Sequence, residues 1–260
     1  MELQEFQTLD ISDPTNPVEI GSYDSNNYVD AVAVKDGYVI IGDRGGEITV
    51  LSFSSTGQLD FINNYSTGQR IWRISLVNEL LHVLHQDNNY DDHYYGIYDL
   101  TQIPSLTEVG SLSGQDNEAW GMRVSGNNTF LSYQQFLGII DISDSTSPSW
   151  VGSPNISDMR DDDLEVMGNK LYCGVNYGQV MVFDISDLAN INELGSFVVN
   201  DGTAHDIFIH DTTLYVFDTY NDLLRIMDIS NPSDIIESSS IEMIAGYSYL
   251  YNNHLKIIDI

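Results

Sequence analysis

Positive charge is what this sequence has least of: 9 Lys and Arg stand against 39 Asp and Glu, a formal net charge of −30 over 260 residues. Such a surface repels phosphate backbones and anionic lipid, which excludes nucleic acid as a partner. It suits divalent cations, basic partners or a saline medium that screens self-repulsion. Cysteine is nearly absent too. Cys173 stands alone in the apolar run Leu171-Tyr172-Cys173-Gly174-Val175, so no disulfide can form within the chain, and the thiol reads as a small buried hydrophobe. No apolar run reaches the roughly 18 residues of a spanning helix, so membrane insertion is not expected. The N-terminus lacks a basic segment followed by an apolar one, so no signal peptide is read there. Catalytic signatures are missing as well: the six histidines form no His-Glu-x-x-His pattern, and no Gly-x-Ser-x-Gly occurs. Gly42-Asp43-Arg44-Gly45-Gly46 reads as a hairpin turn rather than a phosphate-cradling loop.

What is present is repetition. Leu9-Asp10-Ile11-Ser12-Asp13 returns as Ile140-Asp141-Ile142-Ser143-Asp144, Phe183-Asp184-Ile185-Ser186-Asp187 and Met227-Asp228-Ile229-Ser230, with weaker copies at Tyr98-Asp99-Leu100 and Leu51-Ser52-Phe53. Anchored at Asp10, Ser52, Asp99, Asp141, Asp184 and Asp228, the copies are spaced 42, 47, 42, 43 and 44 residues apart. Ile257-Ile258-Asp259-Ile260 follows after only 31 and implies a shortened last repeat. Within each period the order is constant. The Asp phrase ends a β-type run and is followed by a polar turn with proline, such as Pro14-Thr15-Asn16-Pro17. A short strand closing on Gly-Ser comes next, as in Val18-Glu19-Ile20-Gly21-Ser22 and Glu193-Leu194-Gly195-Ser196. A variable loop then leads to an apolar run, and a tight turn such as Lys35-Asp36-Gly37 leads to a run like Tyr38-Val39-Ile40-Ile41. No helical stripe of useful length interrupts this order. Four short strands in about 40–45 residues is the size of one propeller blade.

The Asp-Ile-Ser-Asp/Asn-Pro phrase followed by Pro-Val-Glu-Ile-Gly-Ser resembles the LVIVD repeat family over nearly the whole chain. Ser52 and the proline-free Asn190-Ile191-Asn192 depart from the pattern and put those turns in doubt. The resemblance implies a β-propeller-like fold, an origin among bacterial or archaeal surface or secreted proteins, and no catalytic signature. The expected fold is therefore all-β, a propeller of four-stranded antiparallel blades. Six blades are expected, with seven (one incomplete) as the alternative. Residues 1–260 are read as a single propeller domain, part of a longer exported chain.

Function should sit on the variable loops, since the turns at the other end of each blade hardly change between copies. Aligned on the start of the first strand of each repeat, Asp30, Trp72, Trp120, Asp162 and His205 are equivalent and would ring a channel mouth. Indole faces, carboxylates and an imidazole there suit a sugar or a cation. The insertion that makes the 47-residue spacing, Asp87-Asn88-Asn89-Tyr90-Asp91-Asp92-His93, alternates oxygen donors. Asp87, Asn89, Asp91 and Asp92 are its candidate calcium ligands. The run from Asp158 to Glu165 reads as a solvated loop. These features lead to the expectation of a non-enzymatic binding or adhesion propeller, extracellular or on a cell surface, with a protein or glycan ligand. The alternative is a metal-dependent hydrolase or lyase at the channel mouth, with Asp30, Asp162 and His205 on one ion.

Charge yields the first prediction. Exposed charges interact within a Debye length of about 10 Å at 0.1 M salt, so Tm should climb gradually with sodium chloride. A specific calcium site should raise Tm at millimolar calcium or below, even in high sodium, and Asp87→Ala with Asp91→Ala should remove that part alone. Melts in the two salts separate the effects. A Tm indifferent to both ions would dispose of the calcium site and the saline setting together.

Overall fold

The computed structural model of the chain describes residues 4–13, 16–87, 93–114, 119–133, 135–152, 154, 156, 164–175, 178–198, 204, 206–218, 220–242, 246–251 and 254–259, with the backbone alone in 4–5, 246–251 and 254–259. Among the described residues all regular elements are strands, and no helix is long and apolar enough to cross a membrane. The ribbon of β1 (Gln4–Asp10) and β2 (Val18–Ser25) comes first. Two four-stranded antiparallel sheets follow. One is β3 (Val29–Lys35), β4 (Tyr38–Asp43), β5 (Glu47–Phe53) and β6 (Leu59–Ser66); the other is β7 (Arg70–Val77), β8 (Leu80–Gln86), β9 (His93–Asp99) and β10 (Thr107–Ser113). The next is β11 (Ala119–Ser125), β12 (Asn128–Tyr133), β13 (Leu137–Asp141) and β14 (Ser149–Gly152), and after it β15 (Leu164–Met167), β16 (Lys170–Val175), β17 (Gln179–Asp184) and β18 (Asn192–Val198). The fifth sheet is β19 (Asp206–His210), β20 (Thr213–Asp218), β21 (Leu223–Asp228) and β22 (Ile236–Glu242), and the hairpin β23 (Gly246–Tyr251) and β24 (His254–Asp259) is last.

The protein is thus an all-β propeller. Among the described residues there are 24 strands, which correspond to six blades of four rather than seven. The last Asp phrase needs correcting: Asp259 pairs with Gly246 in the β23–β24 hairpin, so it ends a second strand and not a third. Its counterparts are Asp43 and Asp218 at the ends of β4 and β20, which explains the short final spacing. By strand type the C-terminal pair corresponds to the first two strands of a blade, and β1 and β2 correspond to the last two.

The chain divides into two compact units, Met1–Glu118 with Ser143–Pro148 and Ala119–Ile142 with Ser149–Ile260. In both, the second strand of each four-stranded sheet is buried on two faces, because alternate side chains point to opposite neighbours. In the first unit Val39 and Ile41 pack toward Phe6 and Tyr23, while Ile40 packs with Ile71, Leu81 and Val83. In the second, Leu171 and Cys173 join Phe130, Leu137 and Ile139, while Tyr172 joins Leu214 and Val216. Cys173 is fully buried, as its sequence context implies, and burial pushes its thiol pKa up.

The repeated phrase is architecture. The Asp10, Asp99, Asp184 and Asp228 carboxylates accept the backbone N–H two residues on, at 2.8, 2.7, 2.9 and 2.8 Å, and these local bonds hold each carboxyl below the usual range. The next residue ties the phrase to its own blade: the N–H groups of Phe53, Leu100, Ile142, Ile185 and Ile229 donate to the first-to-second turn. Those turns open on Asp36, Asn78, Gly126, Gly168 and Asp211, all at positive φ, where Gly, Asn and Asp are favoured.

The Gly-Ser of the fourth strand has a packing cause. The third-to-fourth pairing carries a β-bulge in the β1–β2 ribbon and in all five four-stranded sheets, and the glycine follows the extra residue in four of them. A Cβ on Gly21 would stand 2.4 Å from the Gly57 carbonyl oxygen, one on Gly110 2.0 Å from that of Ser145, and one on Gly195 2.5 Å from that of Pro232. Gly152 has nothing within 4 Å. Gly195→Ala should therefore cost roughly 1–3 kcal/mol, the scale of overpacking, while Gly152→Ala should stay within about 0.5 kcal/mol. Urea midpoints check this, and equal costs at the two sites would show that backbone approach is not why the glycine recurs.

Candidate functional site

The aligned first-strand positions share an unusual backbone. Pairing shifts register between Val29 and Ala31, between Ile71 and Arg73, and between Ala119 and Gly121. Asp30, Trp72 and Trp120 are therefore the extra, unpaired residues of three equivalent bulges, a device that re-aims a side chain near a strand entry. Asp162 and His205, their counterparts by alignment, lie outside the described residues. So do Asn89, Asp91 and Asp92 of the acidic insertion, whose Asp87 is partly buried.

In the first unit the structure joins Asp30 to Trp72 through residues that sequence reasoning missed. Arg44, from the β4–β5 turn, holds Asp30 in a fork, with Nε 2.9 Å from Oδ2 and Nη2 3.0 Å from Oδ1. Arg70, at the start of β7, donates to Oδ2 from Nη2 at 2.8 Å and from Nε at 3.1 Å. The Arg70 guanidinium also lies 4.2 Å from the Trp72 ring centroid, and that of Arg73 lies 4.6 Å from it. Three of the nine basic residues meet here. With both oxygens occupied by guanidinium donors, Asp30 is an anchor between two blades rather than a free cation ligand. Among the described residues no group of three or more His, Cys, Asp or Glu could hold a metal ion.

The second unit carries a different pair. Arg123 on β11 and Glu165 on β15 are joined through Nη2 and Oε2. Their registers, Arg123 opposite Phe130 and Glu165 opposite Tyr172, put them at the same position of successive first strands. Ala33, Ser75 and Phe208 hold that position elsewhere, opposite Ile40, His82 and Tyr215. The Glu165 side chain is 12% exposed and that of Arg123 42%. Burial pushes the Glu165 carboxyl up to about 7, against the opposing pull of Arg123. A carboxyl half-ionised near neutrality, beside a guanidinium that reaches solvent, can accept and return a proton while the cation stabilises a developing oxyanion. Glu165 is thus not part of a solvated loop, as its place in the acidic run suggests, but an inward residue of a strand. His82 and His85 do not compete for that role: both are buried on β8, and burial pulls them down to about 4.

Comparison with known proteins follows the geometry. A profile of the LVIVD repeat matches residues 4–25, 27–67, 116–155, 161–199 and 201–243. Among curated proteins no sequence matches the chain. Among solved structures it is similar to PpgL, a periplasmic gluconolactonase of Pseudomonas aeruginosa, with TM-score 0.76 and 10% identity over 99% of this chain and 81% of that one. A Bacteroides uniformis protein assigned as a 6-phosphogluconolactonase has TM-score 0.76 and 13% identity over 93% of this chain and 80% of that one. The computationally designed Ika8 protein has TM-score 0.68 and 14% identity over 92% and 70%. Such identities show the fold, so chemistry has to be argued from residues. The expectation of a non-enzymatic binding or adhesion module is corrected by the two bacterial relatives, both of which bear the name of a lactonase.

Glu165 gives a stability test of its own. Its folded-state pKa lies above the ordinary 4.5, so the native state keeps a proton that the unfolded chain has lost between pH 4.5 and about 7. Stability must then fall as pH rises through that window and level off above it. Glu165→Gln carries no titrating group, so the wild-type Tm should drop relative to the variant across the window. Parallel Tm curves would mean that Glu165 ionises like an exposed carboxylate.

Proposed function

This chain belongs to the LVIVD repeat family, and within that scaffold we propose a hydrolase that opens small sugar lactones at Glu165 and Arg123. The observation that carries the proposal is a largely buried carboxyl pushed up to about 7 and bonded to a partly exposed guanidinium. The names of the two bacterial propellers supply the substrate class. Glu165 as carboxylate takes a proton from water, whose oxygen attacks the lactone carbonyl carbon. Arg123 stabilises the oxyanion. As the tetrahedral intermediate collapses, the bond to the ring oxygen breaks and Glu165 returns the proton to it, leaving a hydroxy acid. An extracellular or cell-surface setting fits this reading, supported by the net charge of −30 and the need to screen it. Calcium belongs to it as a stabilising ion of the Asp87–Asp92 insertion.

Proton release from glucono-1,5-lactone, followed by pH-stat against the rate in buffer, tests the proposal. Glu165→Gln and Arg123→Ala should each lower kcat/KM by about 100-fold or more, the ordinary scale for losing an acid–base or oxyanion group. Wild-type kcat/KM should rise with pH through about 7, as Glu165 ionises. A folded protein with no rate above buffer, or a Glu165→Gln variant as active as wild type, would overturn it.

A further inference from the structure

In the first unit a cleft of about 450 Å³ opens beside β6 and the β9–β10 hairpin. Its volume is that of a small-molecule site. Three tyrosines line it, Tyr65, Tyr94 and Tyr98, together with Thr67, Gln69 and the Glu108 carboxylate. The phenols are fixed by their hydroxyls. Tyr65 donates to the Pro104 carbonyl at 3.1 Å and accepts from the Leu106 N–H at 3.0 Å. Tyr94 donates to Glu108. Tyr98 reaches the buried His85 Nε2 at 3.4 Å and interacts with Glu108 as well. Burial, aided by the Glu108 charge, keeps the Tyr94 and Tyr98 phenols protonated. Among the described residues Glu108 is exposed and forms no ion pair with a basic side chain.

We propose that this cleft binds a small organic ammonium ion. Electron-rich phenol faces attract a cation, and Glu108, engaged only by neutral hydroxyls, supplies the full negative charge that an ammonium group seeks. The repeat departs from its glycine here, as it does at Ser239 opposite Ile226. The position of the fourth-strand glycine, Gly21 opposite Thr8, is held here by Asn63 opposite Val50. Asn63 donates to the Tyr65 hydroxyl at 3.0 Å, so the residue that breaks the repeat also sets one wall of the cleft. The chain's charge of −30 raises the local concentration of any cation around it. An anion is disfavoured by the same field. A neutral sugar would stack on the tyrosines and donate hydroxyl hydrogen bonds to the carboxylate, but it brings no charge to neutralise that of Glu108.

Calorimetric titration of the whole chain with choline chloride, at ionic strength held constant with sodium chloride, tests the assignment. The comparison ligand is 3,3-dimethyl-1-butanol, which has choline's shape without its charge. Choline should bind saturably and about tenfold or more tighter than the alcohol, as a desolvated cation–π contact plus an ionic partner implies. Glu108→Gln and Tyr94→Leu should each weaken choline by about tenfold, with Tm for Glu108→Gln within a few degrees of wild type. The proposal is overturned if choline heats match those of sodium chloride alone, if the alcohol or glucose binds as tightly as choline, or if a folded Glu108→Gln variant binds choline unchanged. None of these readouts depends on lactone hydrolysis.

Discussion

At three places the spacing of neighbouring blades rests on one contact, the approach of a turn backbone to a fourth-strand glycine. Peptide oxygens at Gly57, Ser145 and Pro232 occupy the volume that a side chain on Gly21, Gly110 or Gly195 would need. That approach requires the fourth strand to be kinked, and the β-bulge one residue earlier provides the kink. It also requires the turn to hold its shape: Asp228 accepts the Ser230 N–H in the turn that carries Pro232, Asp144 accepts that of Thr146 beside Ser145, and the Ser54 hydroxyl accepts those of Thr56 and Gln58 around Gly57. With the blades set at this distance, the second strands are buried on both faces and fill with Ile, Val, Leu and aromatic side chains. The most repeated letters of the sequence therefore report on spacing between blades.

A second constraint is the scarcity of cations. With nine Lys and Arg among 39 acidic groups, most carboxylates have to be solvated or satisfied by neutral donors. The turn aspartates use backbone amides, and Glu108 uses tyrosine hydroxyls. Among the described residues, four arginines go where acids are buried or half-buried between strands. Asp30 receives Arg44 and Arg70, Asp218 and Glu237 share Arg225, and Glu165 has Arg123. These pairs are low in exposure on at least one side and so are less screened by salt than the surface at large.

The repeat length, the strand order and the identity of the structural aspartate were legible because each recurs, and recurrence is visible without coordinates. Blade count was blurred by one phrase. Ile258-Asp259 looks like a third strand because the second strands ending in Asp43 and Asp218 share its apolar-then-Asp pattern, and only pairing tells them apart. Alignment of the first strands did find Asp30, Trp72 and Trp120, and their common bulge shows that the alignment followed a real backbone feature. Their partners were not legible. Arg44 and Arg70 reach Asp30 from a turn and from the next blade, 14 and 40 residues away in sequence. Nothing local announces such an encounter, although the crowding of Arg44, Arg70 and Arg73 in a chain so poor in arginine was a usable hint. Glu165 was hidden differently, as the last member of an acidic run, where alternation along β15 turns it inward.

A repeat protein offers an internal control for deciding which residues serve the fold. At the position of Arg123 and Glu165, other blades use Ala33, Ser75 and Phe208, so neither charge nor hydrogen bonding is required there for a blade to pack. Placing an ion pair at such a position is costly, because desolvation of the carboxyl outweighs the attraction of its partner, as the upward push on Glu165 records. A small or apolar residue would be cheaper and is demonstrably compatible with the scaffold. Perturbed carboxyls of this kind gather where proton transfer is needed. The same comparison acquits the turn aspartates, which recur in almost every copy and hold backbone rather than substrate. Function in this propeller is therefore to be sought where one blade departs from the others at a cost in stability, and Glu165 with Arg123 is such a departure.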